Sequence, residues 1–341
     1  MSAATAHTRA AAEEWFLHHG LTYFVPEQRA HVRRAARPGR VVPFLVVVAV
    51  VATGAGGAVA WFADQLTLGP ATLASLLLLA AAWYALTRLH AAPIVTWALA
   101  RTTGSLRTLL PMTTRALPLL LLFITFLFIN TEVWQVASNL TAGALWLTVV
   151  LFLVLAVGFL LVRLPEEVDR ADDAVTDDFL LATCRGTPLE RASRELVEDP
   201  DADPAAHAEV TGYERWNLIL VLVVVQAVQV LLLTLSVFVF LMVFGALTMT
   251  DPVMKAWLGS SPASLPGVHS VSVPLLQVAT FLSAFSGLYL TVSSVTDETY
   301  REQFFGSVVH ELERAVGMRE VYLALRERDR PAVDDGRPVG G

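Results

Sequence analysis

Between Arg215 and Asp251, thirty-five consecutive residues pass without a charged side chain. As a helix that stretch is about 50 Å long, against a bilayer hydrocarbon core of about 30 Å. No water-soluble domain calls for an uncharged helix of that length, so this feature commits the chain to a membrane. Composition agrees: 55% of the 341 residues are hydrophobic and 16% are charged, whereas a soluble domain carries about 25% charge.

Apolar runs predict six spans, at residues 41–62, 71–87, 116–129 (with an extension to 136 open), 142–162, 216–250 and 271–296. The expected fold is all-α, a polytopic bundle of six transmembrane helices with a small helical cytoplasmic cap. Gly54, Gly56 and Gly57 lie in the first span, spaced with Ala52, Thr53 and Ala58 as small-xxx-small pairs. Such pairs let helix backbones approach closely. The length of the fifth span predicts tilt, or turns that leave the bilayer.

The basic residues set the orientation. Of 24 Lys and Arg, only Lys255 falls in one alternate set of loops. The Arg residues gather in 1–40, 88–115, 163–215 and 297–341. The positive-inside rule then places both termini in the cytoplasm, with even occupancy by six spans. The Arg-for-Lys bias and the heavy Ala, Val, Leu and Asp use point to a GC-rich bacterial genome, hence a multi-pass protein of the bacterial cytoplasmic membrane.

The polar pieces differ in kind. Residues 1–40 predict a short helix from 11 to 17 ended by Gly20, an apolar patch at 21–25, and a basic helix opened by Pro26 and running to Arg37. Residues 88–115 have four Arg and no acid and read as an interfacial segment against anionic lipid. Residues 165–215 hold fifteen Asp or Glu against five Arg, with apolar surface for a short helix or two and a breaker at 198–204. The tail 297–341 shows helical spacing of Tyr300, Phe304, Val308, Leu312, Ala315 and Val316, then Val321, Tyr322 and Leu325; Gly306 and Gly317 weaken its middle. Disorder is expected after Asp329.

The run Trp15-Phe-Leu-His-His-Gly-Leu-Thr-Tyr-Phe-Val25 resembles an N-terminal segment shared by a group of uncharacterised bacterial multi-pass membrane proteins, and the stretch from Phe304 to Leu325 belongs to the same resemblance. No activity is attached to that group, so the resemblance implies topology and no function. Read from the residues alone, these aromatics dock the N-terminal helices on the membrane or on the C-terminal helix.

Chemistry-bearing residues are few. Gln226 and Gln229 share a face of span five; span six offers Gln277, Thr280, Gly287, Thr291 and Ser294. Interhelical hydrogen bonds are the expected role, with a Gln277 bridge to Gln226 or Gln229, and a permeant site is the alternative. Glu132, beside Asn130 at the outer end of span three, is a candidate for ion or proton handling. Its plainer reading is a solvated interfacial acid beside Trp134 of an aromatic belt, and Asp64 reads the same way. Asp172, Asp173, Asp177 and Asp178 have oxygen ligands for Mg²⁺ or Ca²⁺ but read first as an exposed acidic face. His310-Glu311 lacks the second His of a zinc-protease motif, where Arg314 stands instead. Cys184, the single cysteine, rules out an intramolecular disulfide.

No catalytic residue, cofactor or metal site is therefore expected, and the net charge of −7 speaks against nucleic acid. The expectation is a non-enzymatic membrane scaffold or assembly component. Its partners would be the lipid bilayer and a protein partner, or a second copy bound through the cytoplasmic segments. The alternative is a transporter or channel for a small solute or ion; an intramembrane enzyme ranks below both.

Overall fold

The structure, a computed structural model, describes residues 3–104, 120–200, 202–203, 207–265, 268–296 and 298–328. It divides into two compact units. One gathers three polar segments far apart in sequence, Met1–Arg29, Pro165–Ile219 and Ser307–Gly341; the other holds Ala30–Leu164 and Leu220–Gly306.

The apolar unit is helical. Among the described residues five helices are long and apolar enough to cross a membrane: α3 (Pro38–Ala63), α4 (Leu68–Arg88), α8 (Ala142–Asp173), α11 (Gly212–Thr248) and α13 (Val273–Thr296). The count reaches six only when the bent pair α6 (Leu120–Phe128) and α7 (Thr131–Ser138) is taken as one span. The third expected span does not run straight on to residue 136: α6 and α7 meet at 74°. Asn130 breaks the helix. Its backbone is extended, and its Oδ1 accepts from Glu132 N and Val133 N, which starts a new helix. Trp134 is fully buried, and its Nε1 donates to Phe128 O, a carbonyl at the interrupted end. It is thus a core residue and not a belt residue. The expected interfacial segment contains α5 (Ala92–Gly104); residues 105–119, and with them Pro111 and the start of span three, lie outside the described residues.

Helix α13 forms the centre of this unit. Half of its most apolar window is buried by protein, against 11% for α3 and 6% for α4. Tyr289 meets Phe123 of α6, Phe281 and Phe285 meet Phe152 of α8, and Gly287 lies against Thr234 of α11. Helices α3 and α4 instead form a hairpin turned at Asp64, which is left-handed (φ 51°). The hairpin closes where Gly56 faces Gly69: a Cβ on Gly56 would lie 2.6 Å from the Gly69 carbonyl oxygen. Gly54 and Gly57 have nothing within 4 Å at that position, so of the three small residues one makes the close approach.

The loop after α11 is more structured than its Pro and Gly content predicts. It contains α12 (Asp251–Leu258), ended by Gly259 at φ 73°, and a short antiparallel pair, β1 (Ser264–Leu265) with β2 (Val268–Ser272). An all-helical description therefore holds for the spans but not for this loop.

In the polar unit, α1 (Ala3–His18) is longer than its expected 11–17 and turns at Gly20 (φ 72°) into a buried 3-10 turn, Thr22–Phe24. Helix α2 (Pro26–Ala35) begins here as expected. Helices α9 (Asp177–Thr183) and α10 (Glu190–Val197) occupy the acidic segment. Helix α14 (Glu298–Arg328) runs unbroken through both glycines. From Ala315 to Tyr322 every residue of α14 is buried, so the helix is enclosed on all sides there. Gly317 makes this possible, since a Cβ would fall 2.1 Å from Thr183 Oγ1 of α9. Phe16 packs edge-on against Phe24 and Tyr322, which brings the aromatic N-terminal run onto α14. Residues 329–341, where disorder was expected, lie outside the described residues.

Candidate functional site

Two polar sites stand out, one in each unit. In the apolar unit Gln226 and Gln229 are both buried. Gln226 Nε2 donates to Ser294 Oγ of α13 at 2.9 Å, and Ser294 Oγ donates to Thr291 O. The carbonyl oxygens of Gln226 and Gln229 are buried without a donor. They face a gap beside Val230, Leu233, Leu290 and Ser294 that is too narrow to hold a water molecule.

Gln277 does not join them. Its Nε2 donates to Leu140 O at 2.9 Å, so the expected Gln277 bridge is replaced by a contact with the start of α8's approach. The physical reason is separation along the axis: Gln277 and Ser294 are seventeen residues apart on α13, about 25 Å. Gln226 pairs at the Ser294 end. Glu132 stands exposed on the first turn of α7, where a carboxylate complements the helix dipole. Span five and span six thus meet through Gln226, while Gln277 and Glu132 belong to other surroundings.

The polar unit holds a site of charged residues that the sequence reading passed over. Glu214, in the first turn of α11, is 5% exposed and is gripped from two sides. Arg29 NH2 donates to its Oε1, and Arg319 Nε donates to its Oε2. Arg29 also donates to the carbonyls of Tyr23 and Phe24, and Arg319 to the carbonyl of His207. One carboxylate therefore ties together the N-terminal segment, the chain entering α11 and α14. Asn217, fully buried one turn on, repeats the arrangement: Oδ1 accepts from Tyr23 N at 2.7 Å and Nδ2 donates to Gly20 O at 3.0 Å.

Two further carboxylates hold the segment that leads into α11. Asp172 accepts from Val210 N at 3.0 Å and Glu320 accepts from His207 N at 2.9 Å. Each keeps its second oxygen buried without a hydrogen-bond donor. Burial raises Asp172 to about 6, opposed by its bond from Val210 and by Arg319, and burial raises Glu320 as well. Asp172 is thereby turned inward, away from the acidic face first expected of it, while Asp177 and Asp178 form the acidic first turn of α9. Cys184 is fully buried, which pushes its thiol up to about 11. Among the described residues no group of three or more His, Cys, Asp or Glu is placed to hold a metal ion.

A signal for this network exists in the sequence. Arg319-Glu320 interrupts an otherwise apolar run from Ala315 to Tyr322, and Glu214 stands two residues before the long apolar stretch. A charged pair inside an apolar helix face calls for buried partners. No protein-family model matches the chain, and neither the curated proteins nor the solved structures contain a match to it.

Proposed function

We propose that the protein is a membrane-embedded scaffold, with six spans, both termini in the cytoplasm and the polar unit serving there as its docking body. One observation carries this reading: the Arg29–Glu214–Arg319 network joins three segments more than a hundred residues apart into one ordered polar body. Burying the charges of Glu214 and Arg319, with Arg29 half-buried beside them, costs several kcal/mol per buried ion and is recovered only with full pairing. A tail that merely filled loops between spans would need no such investment. A body of fixed shape at a membrane surface is what a binding partner requires. The distribution of Arg supports the cytoplasmic placement.

The test is purification from native membranes in mild detergent, with mass spectrometry of the material that co-elutes. A stoichiometric partner that is lost on Glu214→Ala, while the apolar unit remains folded, is the expected result. A lone protein with no second copy and no partner overturns the reading.

A second reading, transport of a small solute or ion, is favoured by the two buried carbonyl oxygens of Gln226 and Gln229 that have no donor among the described residues. It requires solute flux in liposomes that falls with Gln226→Leu; absence of flux for a panel of ions and amino acids removes it.

A further inference from the structure

From Gln28 to Thr131 the sequence contains one carboxylate, Asp64. Asp64 ends α3, whose 26 residues put it about 39 Å from the helix start. The opposite end of the hairpin carries only positive charge. Arg33 and Arg34 come from α2, Arg37 and Arg40 from the entry to α3, and Arg88 from the last residue of α4. All five side chains are exposed, and none forms an ion pair with a described residue.

Three contacts gather them. Tyr84 OH donates to Ala35 O at 2.8 Å, which pins the end of α2 to the last turn of α4. The rings of His31 and His90 lie 6.3 Å apart. Phe44 packs on Tyr84 and Trp83, with centroids 4.8 and 6.0 Å away. Arg40 stands four residues from Phe44 and Arg88 four from Tyr84, so on both helices the guanidinium lies about one turn, or 6 Å, beyond the aromatics. Aromatic rings of this kind sit at the boundary between acyl chains and headgroups. Below them α3 exposes Val46, Val47, Val50 and Val51. The order along the surface is therefore apolar, aromatic, arginine, which is the order of a phospholipid.

We propose that Arg33, Arg34, Arg37, Arg40 and Arg88 form a binding surface for anionic phospholipids, taking the headgroup phosphodiester on the arginines and the acyl chains along the exposed face of α3. Guanidinium forks match phosphate oxygens in pairs. The continuity with the apolar face selects a lipid over free phosphate, which would engage the arginines alone. The surface is independent of any protein partner of the polar unit.

The test uses the full chain in nanodiscs of equimolar dioleoyl-phosphatidylglycerol and dioleoyl-phosphatidylcholine, with native mass spectrometry of the lipids retained after release. Wild type is expected to retain the anionic lipid roughly tenfold over the neutral one, falling toward parity in 0.5 M salt. The variant with Arg33, Arg34, Arg37 and Arg40→Gln is expected to show no enrichment, whereas Lys255→Gln keeps it. Should the fourfold variant fail to fold, Arg40→Gln and Arg88→Gln are each expected to lower the enrichment singly. No enrichment in wild type, enrichment indifferent to salt, or enrichment unchanged in the arginine variants overturns the proposal. Displacement of the lipid by millimolar inorganic phosphate also overturns it, by making the surface a site for a free anion.

Discussion

At the scale of single residues, the polar unit is governed by carboxylates turned wholly or partly away from water. Glu214 between Arg29 and Arg319 is the extreme case. Its removal leaves two buried or half-buried guanidinium groups facing each other, so Glu214→Ala is expected to destabilise the unit by about 3–5 kcal/mol, read as the loss of its thermal transition in detergent. Replacing Arg319 by Met should cost less than Glu214→Ala, because Arg29 still satisfies the carboxylate. Asp172 behaves in the opposite sense. Its folded value of about 6 lies above the ordinary value of 3.8. The stabilisation from its protonated form is complete below pH 3.8 and disappears as pH rises through about 6. For a fully buried carboxyl such a rise is worth about 3 kcal/mol; half-exposed, with solvent screening, about 1 kcal/mol remains. Asp172→Asn is therefore expected to be about 1 kcal/mol more stable than wild type at pH 7.5 and equal to it near pH 4, by thermal melts across that range. These residues were hard to read from sequence for a plain reason. An acidic segment with fifteen carboxylates looks solvated, and nothing in composition distinguishes the two that turn inward, Asp172 and Glu214.

At the scale of elements, glycine at two close approaches decides the packing. A methyl on Gly56 meets backbone, the Gly69 carbonyl, which no side-chain rearrangement relieves; at Gly57 it meets open space. Gly56→Ala is expected to lower the melting transition of the apolar unit and Gly57→Ala to leave it unchanged. Gly317 differs, since the atoms in the way belong to the Thr183 side chain. Gly317→Ala should be destabilising by about 1–3 kcal/mol and largely rescued by Thr183→Gly in the double variant. The long apolar helices were legible, because lipid demands long apolar runs and 26-, 21- and 37-residue helices leave a plain signature; the short α12 was not. Helix ends were less so: α8 continues through Pro165 to Asp173, and the bend at Asn130 depends on one side chain capping two amides. The site residues split the same way. Gln226 faces span six as its helical stripe implies, while the choice of Ser294 over Gln277 is a matter of axial register, which periodicity does not encode.

At the scale of the whole molecule, the polar unit contains Cys184, the chain's single thiol, fully buried with its ionisation pushed up to about 11. The thiolate is the reactive form. A maleimide is therefore expected to label Cys184 negligibly at pH 7 in the folded protein and fully once the unit opens, and labelling against denaturant should follow one sigmoid. Labelling of the native protein within minutes would show that the α9–α10 segment opens on its own. The division into two units was only partly legible. The membrane helices announce themselves by local composition, but the other body is assembled from pieces that share no local signature and are joined by pairings such as Arg29 to Glu214 and Tyr322 to Glu13.

That assembly imposes a schedule. Arg29 and Arg319 clasp the same carboxylate although 290 positions separate them. At a synthesis rate of about 5–20 residues per second, Arg29 waits roughly 15–60 s for its counterpart to be made. Through that interval the aromatic run from Trp15 to Phe24 has no α14 to cover it, and Glu214, once made, holds one of its two guanidinium partners. The apolar helices meanwhile enter the bilayer one after another. Completion of the polar unit thus reports that the last helix, α14, has reached the first segment. A nascent chain in which the two fail to meet would be stranded with its aromatics bare, a surface open to aggregation.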